Sequence, residues 1–131
     1  MLKRIIPAAL AVFVTWSVMD IIIHGVILAE TYKATAQLWR PMGEMKMGLM
    51  HVVMLITALV FVTLYARFVD KKSVGTAVRF GLLFGVGTGI SMGFGTYAVQ
   101  PIPEKIAFTW FLGTVAETTV AGLVTGWLVK A

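Results

Sequence analysis

The sequence predicts an all-α integral membrane protein, a bundle of four antiparallel transmembrane helices running up-down-up-down with almost nothing outside the bilayer. Three observations predict it. Four long apolar segments are separated by short polar breaks, the composition is 59% hydrophobic and only 13% charged, and the mean hydropathy is +0.90. A water-soluble domain of 131 residues cannot hide that much apolar surface, because small domains bury only about 60–70% of their chain surface. Lipid removes the difficulty. Residues 1–131 therefore read as one transmembrane domain.

Each apolar segment reaches the roughly 20 residues needed to cross the hydrocarbon. The first runs over about 5–29. It follows Lys3-Arg4 like a signal peptide, but its only small-x-small pattern, Ala9-Leu10-Ala11, comes too early for cleavage, so it reads as a retained span. The connection from Glu30 to Lys46 carries Tyr32, Trp39 and Arg40, the composition of a short interfacial amphipathic helix, which Pro41 would end. The second span covers about 47–68. A charged turn from Arg67 to Ser73 follows, with Ser73 placed to cap the third span at about 74–99. Gln100-Pro101-Ile102-Pro103 cannot continue a helix, since proline lacks the N–H, and the fourth span runs over about 104–129.

The charge of +5 resides outside the apolar runs. No soluble basic stripe is present, so nucleic acid is not the implied partner; the bilayer is. Seven basic residues (Lys3, Arg4, Arg67, Lys71, Lys72, Arg79 and Lys130) fall on the side of the termini, and four (Lys33, Arg40, Lys46 and Lys105) on the other. The bias places both termini in the cytoplasm. A dual-topology dimer is compatible with a bias of this size. Cysteine is absent, which excludes disulfides, thiolate metal sites and covalently attached c-type haem.

The third span carries Gly81, Gly85, Gly89 and Gly93 on one face, with Gly87, Ser91 and Gly95 as a second small-residue stripe. The fourth adds Thr114, Thr118, Gly122 and Gly126 at the same spacing. Small residues let helix backbones approach, and close packing drives association in lipid, so these two spans are expected to form a tight antiparallel pair. The second stripe exceeds what one neighbour needs, and keeps a homo-oligomer or a larger membrane complex in view.

Ionisable groups inside a span are costly and mark function by default. Here they are Asp20, His24, His51 and Glu117. At about 1.5 Å of rise per residue, His24 and His51 lie roughly 7–8 Å from the non-cytoplasmic helix ends, and Asp20 and Glu117 roughly 13–20 Å in. Ser91 and Thr118 fall near the deeper layer. Met47, Met50, His51 and Met54 share one helical face at i, i+3, i+4, i+7 spacing. Several readings stay open. One is an internal hydrogen-bonded network with methionine filling gaps and no cofactor. A second is a b-type haem with His24 and His51 as axial ligands, with room for the ring at Gly25 and Gly48. A third is copper held by Met47, Met50, His51 and Met54, with or without His24. The last is proton or ion movement along Asp20 and Glu117. No helical HExxH, nucleophile elbow or phosphate-binding glycine loop occurs, and no nucleophile–base pair supports an enzyme.

The pattern Trp16, Asp20, His24-Gly25-Val26-Ile27-Leu28, Tyr32 and Leu38-Trp39-Arg40-Pro41, followed by a glycine-rich span, resembles small four-helix bacterial membrane proteins classed as domains of unknown function. The resemblance implies the same fold and no established activity. Small multidrug exporters, with a glutamate in the first span, and fluoride channels fit less well. The leading expectation is a non-enzymatic accessory or assembly subunit packing through its glycine faces. A cofactor-bearing electron-transfer or copper-handling subunit and a small ion or proton transporter are the alternatives.

Overall fold

The computed structural model describes residues 1–130. It is all helical, with four helices long and apolar enough to cross a membrane. The first span is α1 (Leu2–Ile22), prolonged by a wide π turn over Ile23–Ile27; α2 (Ala29–Ala34) is a short helix in the connection that follows. The second span is α3 (Met47–Phe68). The third is α4 (Val74–Ile90), a second π turn over Ser91–Gly95, and α5 (Thr96–Val99); the fourth is α6 (Glu104–Leu128). The expected interfacial helix is present but ends at Ala34, well before Pro41, where Thr35 Oγ1 turns back to accept from the Trp39 indole N–H at 2.9 Å.

Local chemistry explains the boundaries. Ser73 caps α4, its Oγ accepting the Thr76 N–H at 3.0 Å, which satisfies one of the orphan donors of a helix start. Tyr65 fixes the same turn: its hydroxyl donates to the Ser73 carbonyl at 3.0 Å and accepts the Ser73 N–H at 3.1 Å. Arg4 donates to the Lys130 carbonyl, so α1 starts and α6 ends on one face, called here the terminal face.

The tightest packing is between α4 and α6. A Cβ added at Gly81 would collide with the Thr118 carbonyl and sit 3.3 Å from Gly122 Cα; one at Gly122 would collide with the Ala77 carbonyl. Gly85, Gly89 and Gly93 meet Val115, Thr114, Phe111 and Ala107 in the same way. Backbone therefore lies against backbone along the whole seam, which is where dispersion is strongest in lipid.

The remaining helices close around a main core near the terminal face. Ala8, Val12, Trp16, Phe61, Val62, Tyr65 and Ala121 are buried there. Phe61 packs edge-on to Trp16 and Phe84, and Phe80 stacks beside Phe61 and Tyr65, all with ring centroids 5.1–6.0 Å apart. This aromatic layer seals the bundle below Asp20. A second, smaller core caps the opposite face: Ile23, Leu28, Ile102, Ile106 and Ala107, covered by Tyr32, Trp39 and Trp110. Between them α3 is held only by its second half; residues 47–53 are all exposed.

Candidate functional site

The two cores leave a polar layer between them, built by α1, α2 and α6. Trp16 sets the register of α1 on α6 by donating its indole N–H to the Glu117 carbonyl at 2.8 Å. One turn further on, Asp20 faces the same helix, and its carboxyl and that of Glu117 lie close enough to influence each other. Two neighbouring carboxyls in apolar surroundings hold one proton between them more readily than two negative charges.

His24 lies one turn above Asp20, its Nε2 3.7 Å from Asp20 Oδ1. That is longer than a direct hydrogen bond, a gap that a small side-chain rotation closes. The other ring nitrogen, Nδ1, lies 2.6 Å from the Tyr32 hydroxyl, and the two rings stack at 5.9 Å. Tyr32 also receives the Trp110 indole N–H at 2.8 Å. Trp39 braces both, at 5.3 Å from Tyr32 and 6.0 Å from Trp110.

The polarity of this chain follows from the donor inventory. An indole N–H only donates, so the Tyr32 oxygen accepts from Trp110 and its single O–H is left for His24. With the Tyr32 O–H donated to Nδ1, the proton of the neutral imidazole sits on Nε2, toward Asp20. In that tautomer the Trp110–Tyr32–His24 chain of donors runs toward Asp20. Tyr32 itself lies outside the spans; burial, the largest effect, pushes its phenol above the ordinary range, Trp110 partly offsets this, and Asp20 adds to the rise.

The other residues singled out above occupy different surroundings. His51 bonds the Met47 carbonyl of its own helix at 2.7 Å through Nδ1 and lies 6.3 Å from the Phe13 ring. His24 is hydrogen-bonded through Nδ1 to Tyr32, and its Nε2 makes no direct hydrogen bond. Met47, Met50 and His51 are exposed, while Met54 is half-buried and accepts the Ser17 hydroxyl at 3.4 Å. Among the described residues no group of three or more His, Asp or Glu side chains gathers as a metal site. Thr118 is buried against Gly85 and bonds its own helix at Thr114; Ser91 is exposed. Gly81, Gly85, Gly89, Gly93, Gly122 and Gly126 are consumed by the α4–α6 seam, whereas Gly87 opens onto empty space. Below the second core, α1 and α6 also border an apolar groove of about 380 Å³ between Ile22, Ile23, Ile27, Leu112 and Gly113.

Tyr32, Trp110 and Trp16 are the functional neighbours that spacing alone does not give. Tyr32 and Trp16 stand in the motif read from the sequence, without a contact assigned to either; nothing there marks Trp110. Compared with protein-family models, curated proteins and solved structures, the chain gave no match.

Proposed function

We propose that this small membrane protein binds and releases a proton at the mid-membrane pair Asp20–Glu117. The observation that carries the proposal is the meeting of two carboxyls from different helices inside an apolar bundle. A charged group at that depth is expensive, and a pair that shares one proton can gain or lose a second at far lower cost than an isolated carboxyl. Such a site is suited to proton-coupled movement and has no feature of a catalytic centre. The orientation that goes with it puts both termini in the cytoplasm of a bacterial cell.

The test is a proton-uptake measurement on the purified chain in liposomes carrying a pH-sensitive dye. Uptake above that of protein-free liposomes, lost in both Asp20→Asn and Glu117→Gln, is the expected result. Wild-type uptake equal to that of empty liposomes overturns the proposal.

A second reading, an accessory subunit of a larger membrane assembly or a homo-oligomer, is favoured by a separate observation. Gly87, Ser91 and Gly95 are exposed on α4 and its π turn, and residues 47–53 of α3 are exposed as well. Native mass measurement from gentle detergent tests it; a monomer without co-purifying partners removes it.

A further inference from the structure

We propose that His24, held in one orientation by Tyr32 and Trp110, relays protons between the Asp20–Glu117 pair and the face opposite the termini only. The proposal rests on the reading of that pair given above. Its basis is the geometry of the two ring nitrogens, which contact different partners on opposite sides of the imidazole: Tyr32 at 2.6 Å and Asp20 at 3.7 Å.

The proton balance is simple. A proton from water adds to Nδ1; the Tyr32 hydroxyl rotates from donating to accepting, using its remaining lone pair, since the other already takes the Trp110 N–H. The Nε2 proton then passes to Asp20 once side-chain rotation closes the 3.7 Å gap. The products are a neutral carboxyl at Asp20 and a neutral imidazole protonated on Nδ1, so one proton has entered and one negative charge has gone. Release is the reverse. Tyr32 keeps its own proton throughout, because burial disfavours its phenolate. It and Trp110 are positioning residues, and His24 is the carrier.

The route has one open end. The His24 side chain is 45% exposed and Asp20 29%, whereas the layer beneath, with Trp16 at 4% and Phe61 and Tyr65 at 0%, is closed. Other titratable groups around His24 leave the assignment intact. On α1 there is Asp20, on α6 Glu117, and on α2 Tyr32 with the outward pair Glu30–Lys33, 3.4 Å apart. His51 of α3 is turned to its own backbone, and the third span carries only Arg79 and Tyr97, near its two ends.

The experiment compares rate with extent in proteoliposomes of known orientation after a pH jump applied to one face. Wild type takes up protons from the face opposite the termini. His24→Gln slows uptake by about 100-fold or more, as expected for loss of a positioned acid–base group, and Tyr32→Phe by about tenfold, on the order of one hydrogen bond lost. In both variants the number of protons bound at equilibrium by the carboxyl pair stays the same. Nitrogen NMR of the wild type in lipid finds the neutral His24 proton on Nε2, and in Tyr32→Phe on both nitrogens. Wild-type rates in His24→Gln, equal uptake from both faces, or a wild-type proton on Nδ1 each overturn the relay. If uptake is lost in Asp20→Asn and Glu117→Gln while His24→Gln remains fast, the pair stands and the route falls. If neither carboxyl substitution changes uptake, the pair itself falls.

Discussion

Gly81→Ala adds one carbon where the structure has no room for it. The new Cβ would run into the Thr118 carbonyl oxygen, with the carbonyl carbon at 3.0 Å and Gly122 Cα at 3.3 Å. All three obstacles are backbone, so no rotamer change relieves them, and α4 must move away from α6. Overpacking a filled site costs about 1–3 kcal/mol; backbone on both sides puts this case near the top, about 3 kcal/mol or roughly 100-fold in the folding equilibrium. Gly122→Ala meets the Ala77 carbonyl, with Val78 Cα at 3.1 Å, and costs about the same by that argument. The two sites touch, so their effects do not add. Once one methyl has separated the helices, the second fits largely in the gap already made, and the double variant is expected to lose about 3–4 kcal/mol where addition gives about 6. Gly87→Ala, with nothing within 4 Å, is the control, neutral or stabilising by up to about 1 kcal/mol. Reversible unfolding in mixed micelles, followed by helical circular dichroism, measures all four. Full additivity, or a Gly87→Ala cost equal to that of Gly81→Ala, refutes the backbone-contact account.

Further outcomes follow from other contacts. Trp16→Phe keeps a ring in the aromatic layer but leaves the Glu117 carbonyl without its donor, costing about 1 kcal/mol in the same micelle assay. Tyr65→Phe removes one hydroxyl that serves both backbone groups of Ser73 and costs more, about 1–3 kcal/mol. Tyr32 ionises above its usual range, so the folded protein holds that proton after the unfolded chain has lost it. Stability from this group is therefore complete below about pH 10 and falls as pH rises from there through the folded value; phenolate absorbance during alkaline unfolding should lose this step in Tyr32→Phe. An absorption spectrum of the purified chain, oxidised and reduced, separates the hydrogen-bonded reading of His24 from a haem site, the first giving no Soret band. A band lost in His24→Ala and His51→Ala would establish haem instead.

The spans were readable because a bilayer asks for length and apolarity, and both can be counted along a chain. The seam between α4 and α6 was readable for a related reason: four glycines at four-residue spacing declare a face without reference to its partner. The polar layer was only half readable. Helical rise put Asp20 and Glu117 at similar depth, but which way each pointed depended on Trp16 reaching across to the Glu117 carbonyl, a contact between residues far apart in sequence. Matching depth says nothing of azimuth, and so nothing of the Tyr32 hydroxyl that meets His24 Nδ1. His24 is drawn to Tyr32 because the wide turn at Ile23–Ile27 and the early end of α2 fold the connection back over α1. Neither π turn had a periodic signature, since one extra residue in one turn is invisible to a pattern averaged over many.

The glycine seam also has a mechanical consequence. Two helices locked backbone to backbone move as one rigid body, and α1 is tied to that body through Trp16 and Ile23. By contrast α3 meets α4 through side chains, Phe61 and Tyr65 against Phe80, Phe61 against Phe84, and the Tyr65 hydroxyl on the Ser73 backbone, and side chains can slide and rotate where packed backbones cannot. The line between α3 and α4 is therefore expected to yield first. Spin labels across it should give a broader distance distribution than labels across α4 and α6, and any opening that exposes Asp20 to the terminal face would have to begin there, at Phe61.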